Sequence, residues 1–210
     1  MPYAAIVLRG GYEEAGERGR HRTREGDVLL HDAFDAHCDR FDDQACEILN
    51  LHLPPDYVPP LAFAHVRDLD GVVRRAKRDT REAVSFLLSA LEPAAARPND
   101  WPDELVATLW ADPHLRLGAW ASAHRLSPES VSRTFARIWA VTPARFRADV
   151  RARKAWRSIV SSKLPLAALA AEAGFADQAH FTREILGVTG RTPGTWRRSN
   201  PFKTSPCPPG

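Results

Sequence analysis

Several side chains in the first 70 residues have the chemistry to bind a metal ion. His31 and His37 flank Asp35, and two histidines with one carboxylate form the ligand set of iron enzymes that use oxygen. Softer ligands nearby are Cys38, Cys46, His52 and His65. None of these spacings is an established ligand motif. We therefore assign His31 and His37 to a candidate effector or metal pocket, but favour the alternative in which His37 packs at a strand end and no metal is bound.

Basic side chains are concentrated in the second half of the chain. Residues 1–100 contain 13 Lys and Arg against 18 Asp and Glu, a net charge of −5. Residues 101–210 contain 16 against 8, a net charge of +8. A basic segment of this size predicts a polyanionic partner such as nucleic acid, and a solvated helical face is the alternative.

The composition excludes several classes of protein. The 210 residues are 44% hydrophobic and 26% charged, which is typical of globular domains. No apolar run approaches the roughly 20 residues that a membrane span needs, and the three cysteines form no CxxC pair. No P-loop, nucleophile elbow or HExxH motif is present. We predict a soluble cytoplasmic protein with no membrane contact, no catalytic residues and no cofactor.

The basic half repeats itself at an offset of 50 residues. Ser127 aligns with Asp177, Arg133 with Arg183, and the pair Thr142-Pro143 with Thr192-Pro193. Upstream of these positions the offset is 49, because Trp120-Ala121 aligns with Leu169-Ala170. The sequence therefore predicts two copies of one small helical unit.

Each copy has the pattern of a helix-turn-helix unit. In the second copy, an amphipathic helix over 164–174 ends at Gly174, Asp177 caps the next helix, and that helix covers 178–186. In the first copy, Ser127 is the cap and Pro128 takes the first helical position. Thr142-Pro143 begins a long helix between the copies.

The second helix of such a unit fits the major groove of DNA, where base edges are distinguishable. We predict that exposed residues early in each second helix read bases: Glu129, Ser132, Arg133, Gln178, Ala179, His180, Thr182 and Arg183. Basic residues outside these helices are predicted to contact phosphates: Arg145, Arg147, Arg151, Arg153, Lys154, Arg157, Arg197 and Arg198. For Arg133 and Arg183, a contact that stabilises the fold or a contact with phosphate is an equal alternative to base reading.

Residues 101–198 resemble the DNA-binding domain of AraC/XylS-type bacterial transcription regulators. The resemblance is strongest in LAALAAEAGFADQAHFTREILGVTGRTPGTWRR (166–198) and extends to SPESVSRTFARIWAVTPARF (127–146). It implies a sequence-specific regulator bound to double-stranded DNA, with a second copy of the chain, RNA polymerase and a small-molecule effector as further partners. His124-Arg125 and Ala140 replace family glycines, so we expect strained positive φ angles there, at about 1 kcal/mol each.

The acidic half has a different pattern. Short apolar runs at 4–8, 28–30 and 46–53 predict strands of a small β structure. Residues 26–37 are similar to the second motif of cupin barrels, with His37 at the metal-histidine position and Phe34 where the motif has glycine. This resemblance implies a short cupin-like sensor, and a cupin-type metal-dependent enzyme or metal sensor is the alternative function.

The predicted fold class is α+β, with a β-rich N-terminal domain and an all-α C-terminal domain. The predicted parts are a cupin-like effector or dimerisation domain (1–69), a connecting helix and linker (70–100), the DNA-binding domain (101–198) and a disordered tail (199–210). The connecting helix is expected over 72–91. Its apolar stripe predicts either a homodimer contact or an interdomain brace, through Val73, Ala76, Ala83, Leu87 and Leu91.

Overall fold

A computed structural model describes residues 1–43, 45–94, 100–112 and 115–199. Most of the predicted linker at 94–100 and all of the predicted tail beyond residue 199 lie outside these ranges. The chain divides into two compact bodies, residues 1–142 and 143–210. The division falls inside the predicted DNA-binding domain, so each body contains one of the two predicted helix-turn-helix units. Within the described ranges, no helix is long and apolar enough to span a bilayer.

The first body begins with two antiparallel sheets. Its strands are β1 (Tyr3–Arg9), β2 (Tyr12–Gly16), β3 (Gly19–Arg22), β4 (Asp27–His31), β5 (His37–Phe41), β6 (Glu47–His52), β7 (Phe63–Val66) and β8 (Leu91–Pro93). The larger sheet has the order β6-β1-β4-β7-β8, and the smaller sheet has the order β3-β2-β5. The three predicted apolar strands correspond to β1, β4 and β6. The sequence did not reveal the other five strands, and two of these, β3 and β5, are mostly polar and partly exposed.

Two helices, α1 (Leu69–Ala76) and α2 (Thr80–Ala90), follow β7. The prediction of one continuous helix over 72–91 is therefore wrong. The break occurs because Asp79 caps the second helix: its carboxylate accepts hydrogen bonds from the backbone amides of Arg81 at 2.7 Å and Glu82 at 3.4 Å.

The apolar face of α1 and α2 belongs to the core of the first body. Val72, Ala83 and Leu87 are fully buried in one cluster with Ala4 and Ile6 of β1. Ala83 and Leu87 of the predicted contact stripe are therefore covered by the sheet of the same chain, and a homodimer contact stays a prediction. The opposite face of the larger sheet packs in a second cluster that includes Tyr12 of β2.

Helices α3 (Trp101–Ala111), α4 (Leu117–Ala123) and α5 (Pro128–Trp139) complete the first body. Asp100 occupies the cap position of α3, but its side chain makes no capping hydrogen bond. Its carboxylate pairs instead with the guanidinium of Arg20 in β3.

The second body contains α6 (Pro143–Ser161), α7 (Leu166–Glu172), α8 (Gln178–Thr189) and α9 (Pro193–Arg198). Phe181 and Ile185 of α8 are fully buried, as is Trp156 of α6. The ring of Trp156 meets that of Trp196 edge-on, with centroids 5.6 Å apart. The predicted order of antiparallel β-sheets followed by a helical C-terminal region is confirmed.

Candidate nucleic-acid interface

The first helix-turn-helix unit consists of α4, a short turn and α5. The turn is closed by a hydrogen bond from the amide of Leu126 to the carbonyl oxygen of Ala121 at 2.9 Å. Arg125 has φ 56°, the left-handed conformation expected at this position. Ser127 then accepts a hydrogen bond from the amide of Ser130 and caps α5. This geometry fixes the start of α5.

The second unit, α7 to α8, repeats this turn. The amide of Phe175 donates to the carbonyl oxygen of Ala170 at 2.9 Å, and Gly174 has φ 71°. These residues correspond to Leu126, Ala121 and Arg125 at the offset of 49. The carboxylate of Asp177 accepts a hydrogen bond from the amide of His180 and caps α8. The repeat found in the sequence is therefore a repeat of hydrogen bonds and backbone angles.

The predicted base-reading residues differ in how far they are exposed. Five of them are exposed: Glu129, Arg133, Gln178, Ala179 and Arg183. Three are half-buried: Ser132, His180 and Thr182. The hydroxyl of Thr182 donates to the carbonyl oxygen of Gln178 at 2.8 Å. The exposed positions begin at the first residue of α8, where a helix inserted into the groove meets base edges.

Some of the arginines predicted to contact phosphates also make contacts within the second body. The guanidinium of Arg197 donates a hydrogen bond to the carbonyl oxygen of Leu164, just before α7. Arg151 lies over the ring of Phe175, with its guanidinium carbon 4.5 Å from the centroid. Arg145 pairs with Asp149, whose pKa is raised by burial. These arginines therefore have structural contacts in addition to any role on DNA.

The prediction that Arg153 contacts a phosphate is wrong. Its side chain is buried, with 6% of the residue exposed, and burial lowers its pKa to about 10. A guanidinium at that depth cannot reach a phosphate on the surface. Burial also lowers the pKa of Lys154, which is half-buried, as are Arg147 and Arg157. Arg198 is exposed at the end of α9.

A separate cluster lies in the β sheets of the first body. The structure brings His31 and His37 together, with ring centroids 4.5 Å apart. The carboxylate grouped with them is that of Glu14, which the sequence did not single out. Asp35, the carboxylate expected from the sequence, accepts a hydrogen bond from the amide of Asp32, and burial raises its pKa.

The remaining predicted metal ligands do not join this cluster within the described ranges. His65 contacts Asp27, with Nδ1 2.9 Å from a carboxylate oxygen, and Cys38 and Cys46 are free thiols. Glu14 could not be found from spacing, because it lies on β2 and approaches the histidines only after β2 pairs with β5.

Residues 120–199 match the sequence model of a family described as a helix-turn-helix domain. These residues form a helix-turn-helix domain. The match starts inside α4 and ends after α9, so it contains both repeated turns. The match spans 80 of the 210 residues, which is less than half of the chain. A search of curated proteins gave no match.

Solved structures resemble the chain at low sequence identity. The C-terminal domain of AraT, a response regulator from Geobacillus stearothermophilus, is 20% identical, with 53% of this chain and 97% of that chain covered and a TM-score of 0.46. An AraC-type transcriptional regulator from Chromobacterium violaceum is 17% identical, with coverage of 48% and 92% and a TM-score of 0.44. Wild-type ToxT from Vibrio cholerae bound to an unsaturated fatty acid is 9% identical, with coverage of 93% and 86% and a TM-score of 0.46.

Proposed function

We propose that the protein regulates transcription by reading a specific duplex DNA sequence with α5 and α8. The observation that carries this proposal is the repeated capped turn, which leaves the first residues of both helices exposed. Gln178 is the first residue of α8, and its amide can form paired hydrogen bonds to adenine. Glu129 is the second residue of α5, at the position that Ala179 has in α8, and can accept a hydrogen bond from cytosine.

Phosphate contacts are assigned to basic residues that are exposed or half-buried. Arg198 is exposed at the end of α9, and Arg147 and Arg157 are half-buried on α6. Such contacts position a protein on the duplex without selecting sequence, because every phosphate is chemically the same. We therefore expect their loss to weaken binding to all duplexes equally.

The β-rich N-terminal part, residues 1–93, is proposed as the regulatory module. It contacts the first helix-turn-helix unit and the helix before it. The Arg20 guanidinium pairs with Asp103 of α3 at 2.9 Å, and Arg40 donates to the carbonyl oxygen of Ile138 in α5 at 3.1 Å. An event in this module can therefore act on α5 through direct contacts. A small-molecule effector, a second copy of the chain and RNA polymerase remain proposed partners.

The test is a selection from random duplexes with the full chain, followed by binding measurements on the selected site. Gln178→Ala should reduce discrimination at one base pair by about 1 to 3 kcal/mol. Arg198→Ala should weaken all sequences alike and lower the salt slope by about one unit. Arg78→Ala is the matched control, because it removes an exposed arginine from the turn that follows α1. Failure to enrich any sequence contradicts specific recognition.

A further inference from the structure

Three ligating side chains from three strands point into one small cavity of the first body. Glu14 lies on β2, His31 ends β4 and His37 begins β5. One ligand atom from each lies within 4.8 Å of the other two. Glu14 is 4% exposed and His31 is 5% exposed, so both are held away from bulk water.

The buried atoms of this cluster lack the hydrogen bonds that buried polar atoms normally make. Glu14 Oε2 and His31 Nε2 are 3.4 Å apart, yet neither forms a hydrogen bond to any residue that the structure describes. A buried polar atom without a hydrogen bond destabilises a fold, and such an atom needs an explanation. A cation between the two atoms would provide one.

The distances fit a transition-metal ion. For metal–ligand bonds of about 2.1 Å, two ligands of a tetrahedral site lie about 3.4 Å apart. Glu14 and His31 already have this separation. The ligand atom of His37 must approach the other two by at most about 1.4 Å, from the 4.8 Å limit, to complete the set. Its side chain is 26% exposed at the start of β5.

The cavity is small. It has room for about one water molecule, about 20 Å³. This space suits a single ion. The ring of Tyr3 stacks on that of His31 with centroids 4.4 Å apart and fixes the orientation of this histidine.

We propose that Glu14, His31 and His37 bind one divalent transition-metal ion. Two imidazoles and one carboxylate suit Zn²⁺, Fe²⁺ and related ions, and three protein ligands leave a position for water. Asp35 lines the same cavity. Binding of the ion changes no oxidation state, because it forms only bonds between the ion and these side chains.

Metal binding at this site is transmitted to α5 through the smaller sheet. His37 pairs across β2 and β5 with Gly16, and the carbonyl oxygen of Gly16 accepts a hydrogen bond from Trp139 Nε1 at 3.0 Å. Arg40, further along β5, donates to the carbonyl oxygens of Arg137 and Ile138. Movement of His37 toward the ion therefore shifts the strand that holds the end of α5. This step, unlike metal binding, rests on the proposed DNA-binding function.

The binding test uses the full chain after treatment with a chelator. Titration with Co²⁺ should give visible absorption bands that saturate at one ion per chain, and Zn²⁺ should displace the Co²⁺. His37→Ala and the isosteric Glu14→Gln should each weaken binding by at least tenfold. His52→Ala is the matched control, since it removes an exposed histidine of β6 outside the cluster. Absence of saturable binding, or equal loss in His52→Ala, overturns the site and leaves a histidine–carboxylate contact only.

The transmission test measures affinity for the selected duplex with and without Zn²⁺. The affinity of the wild-type chain should change severalfold on Zn²⁺ addition, and that of His37→Ala should not. Metal binding without any change in DNA affinity contradicts transmission but supports the site. A chain that binds Co²⁺ but enriches no duplex contradicts the proposed function instead.

Discussion

Trp139 Nε1 donates a hydrogen bond to the carbonyl oxygen of Gly16, 3.0 Å away, and both residues belong to the first body. Trp139 is the last residue of α5, and Gly16 is the last residue of β2. The guanidinium of Arg20 lies 5.8 Å from the centre of the Trp139 ring. The first helix-turn-helix unit thus packs directly against the β-rich N-terminal part.

The ion pair between Arg20 and Asp103 should make a large contribution to the stability of the first body. Nε and Nη2 of Arg20 donate to the two carboxylate oxygens at 3.0 and 2.9 Å, and the side chains are 10% and 5% exposed. Removing one partner of a buried pair leaves the other charge in a poor environment. Arg20→Ala should therefore lower the free energy of unfolding by about 3 kcal/mol, measured by urea denaturation.

The matched control for this prediction lies two residues along the same strand. Arg22 pairs with Asp42 at 3.4 Å, but both side chains are more than 70% exposed. Water screens exposed pairs, so Arg22→Ala should cost about 0 to 1 kcal/mol. Equal losses in the two variants would show that burial of the Arg20 pair adds nothing.

The left-handed residue after each recognition helix gives a prediction about backbone strain. Ala140 has φ 58° after α5, and its counterpart Gly190 has φ 70° after α8. A β-carbon in this conformation is unfavourable, and no atom lies within 4 Å of one added at Gly190. Gly190→Ala should therefore destabilise the second body by about 1 kcal/mol through the backbone alone. Ala140→Gly should stabilise the first body by up to about 1 kcal/mol, since relief of strain exceeds the added entropy of the unfolded chain.

Gly187 is the control for the same chemical change. It lies inside α8, and an added β-carbon there also meets no atom within 4 Å. Gly187→Ala should stabilise the helix by about 0.5 to 1 kcal/mol, because alanine favours helical backbone. Thermal unfolding of the variants compares the signs. If Gly187→Ala and Gly190→Ala shift the midpoint in the same direction, the strain argument fails.

Sequence and structure agree closely on these backbone angles. The three residues other than glycine with positive φ in the described ranges are Phe34, Arg125 and Ala140. Each stands where a resembled family motif has glycine, and the resemblance predicted the unusual conformation at Arg125 and Ala140. Caps and turns depend on residues close in sequence, which explains why both helix-turn-helix units could be predicted.

Other features depend on long-range contacts, and the sequence did not predict them. Glu14 joins the histidines only through strand pairing, and Asp100 leaves its capping role because Arg20 is near it in space. The apolar stripe of α1 and α2 had the same pattern whether it faced a sheet or a second chain. Sequence periodicity identifies a buried face but does not identify what buries it.

The cap of α8 should make the free energy of unfolding depend on pH in the acid range. Hydrogen bonds from the backbone amides of His180 and Ala179 lower the pKa of Asp177. Because the pKa of Asp177 is lower in the folded state, the cap stabilises the fold fully when the pH is above the pKa of an aspartate in the unfolded chain, about 3.9. That stabilisation is lost as the pH falls through the folded pKa. Asp177→Asn keeps an acceptor that does not titrate, so the acid-dependent loss below about pH 4 should shrink.

Urea unfolding of the two chains at neutral and acid pH measures this difference. Ser127→Ala serves as the comparison, because it removes a cap without a titrating group. That variant should lose about 0.5 to 2 kcal/mol at every pH. The same pH profile in wild type and Asp177→Asn would contradict the role of the ionised cap.

Arg183 provides the sharpest test of how α8 meets DNA. It is exposed and lies four residues after Ala179, on the same face of the helix and within its first two turns. A guanidinium can form two parallel hydrogen bonds to guanine, whereas a lysine ammonium acts as a single charge. Arg183→Lys keeps the charge that a phosphate contact requires and removes the forked geometry that base reading requires. We expect it to reduce discrimination at one base pair by about 1 to 3 kcal/mol while the salt slope stays unchanged.

The matched variant is Arg133→Lys, which makes the same change at the repeated position of α5. If both arginines read bases, the two variants should relax preference at different base pairs of the selected site. Quantitative selection profiles of the full-length variants resolve the positions. Wild-type specificity in Arg183→Lys, combined with uniformly weaker binding in Arg183→Ala, would assign this side chain to a phosphate, and α8 would then read bases through its first turn alone.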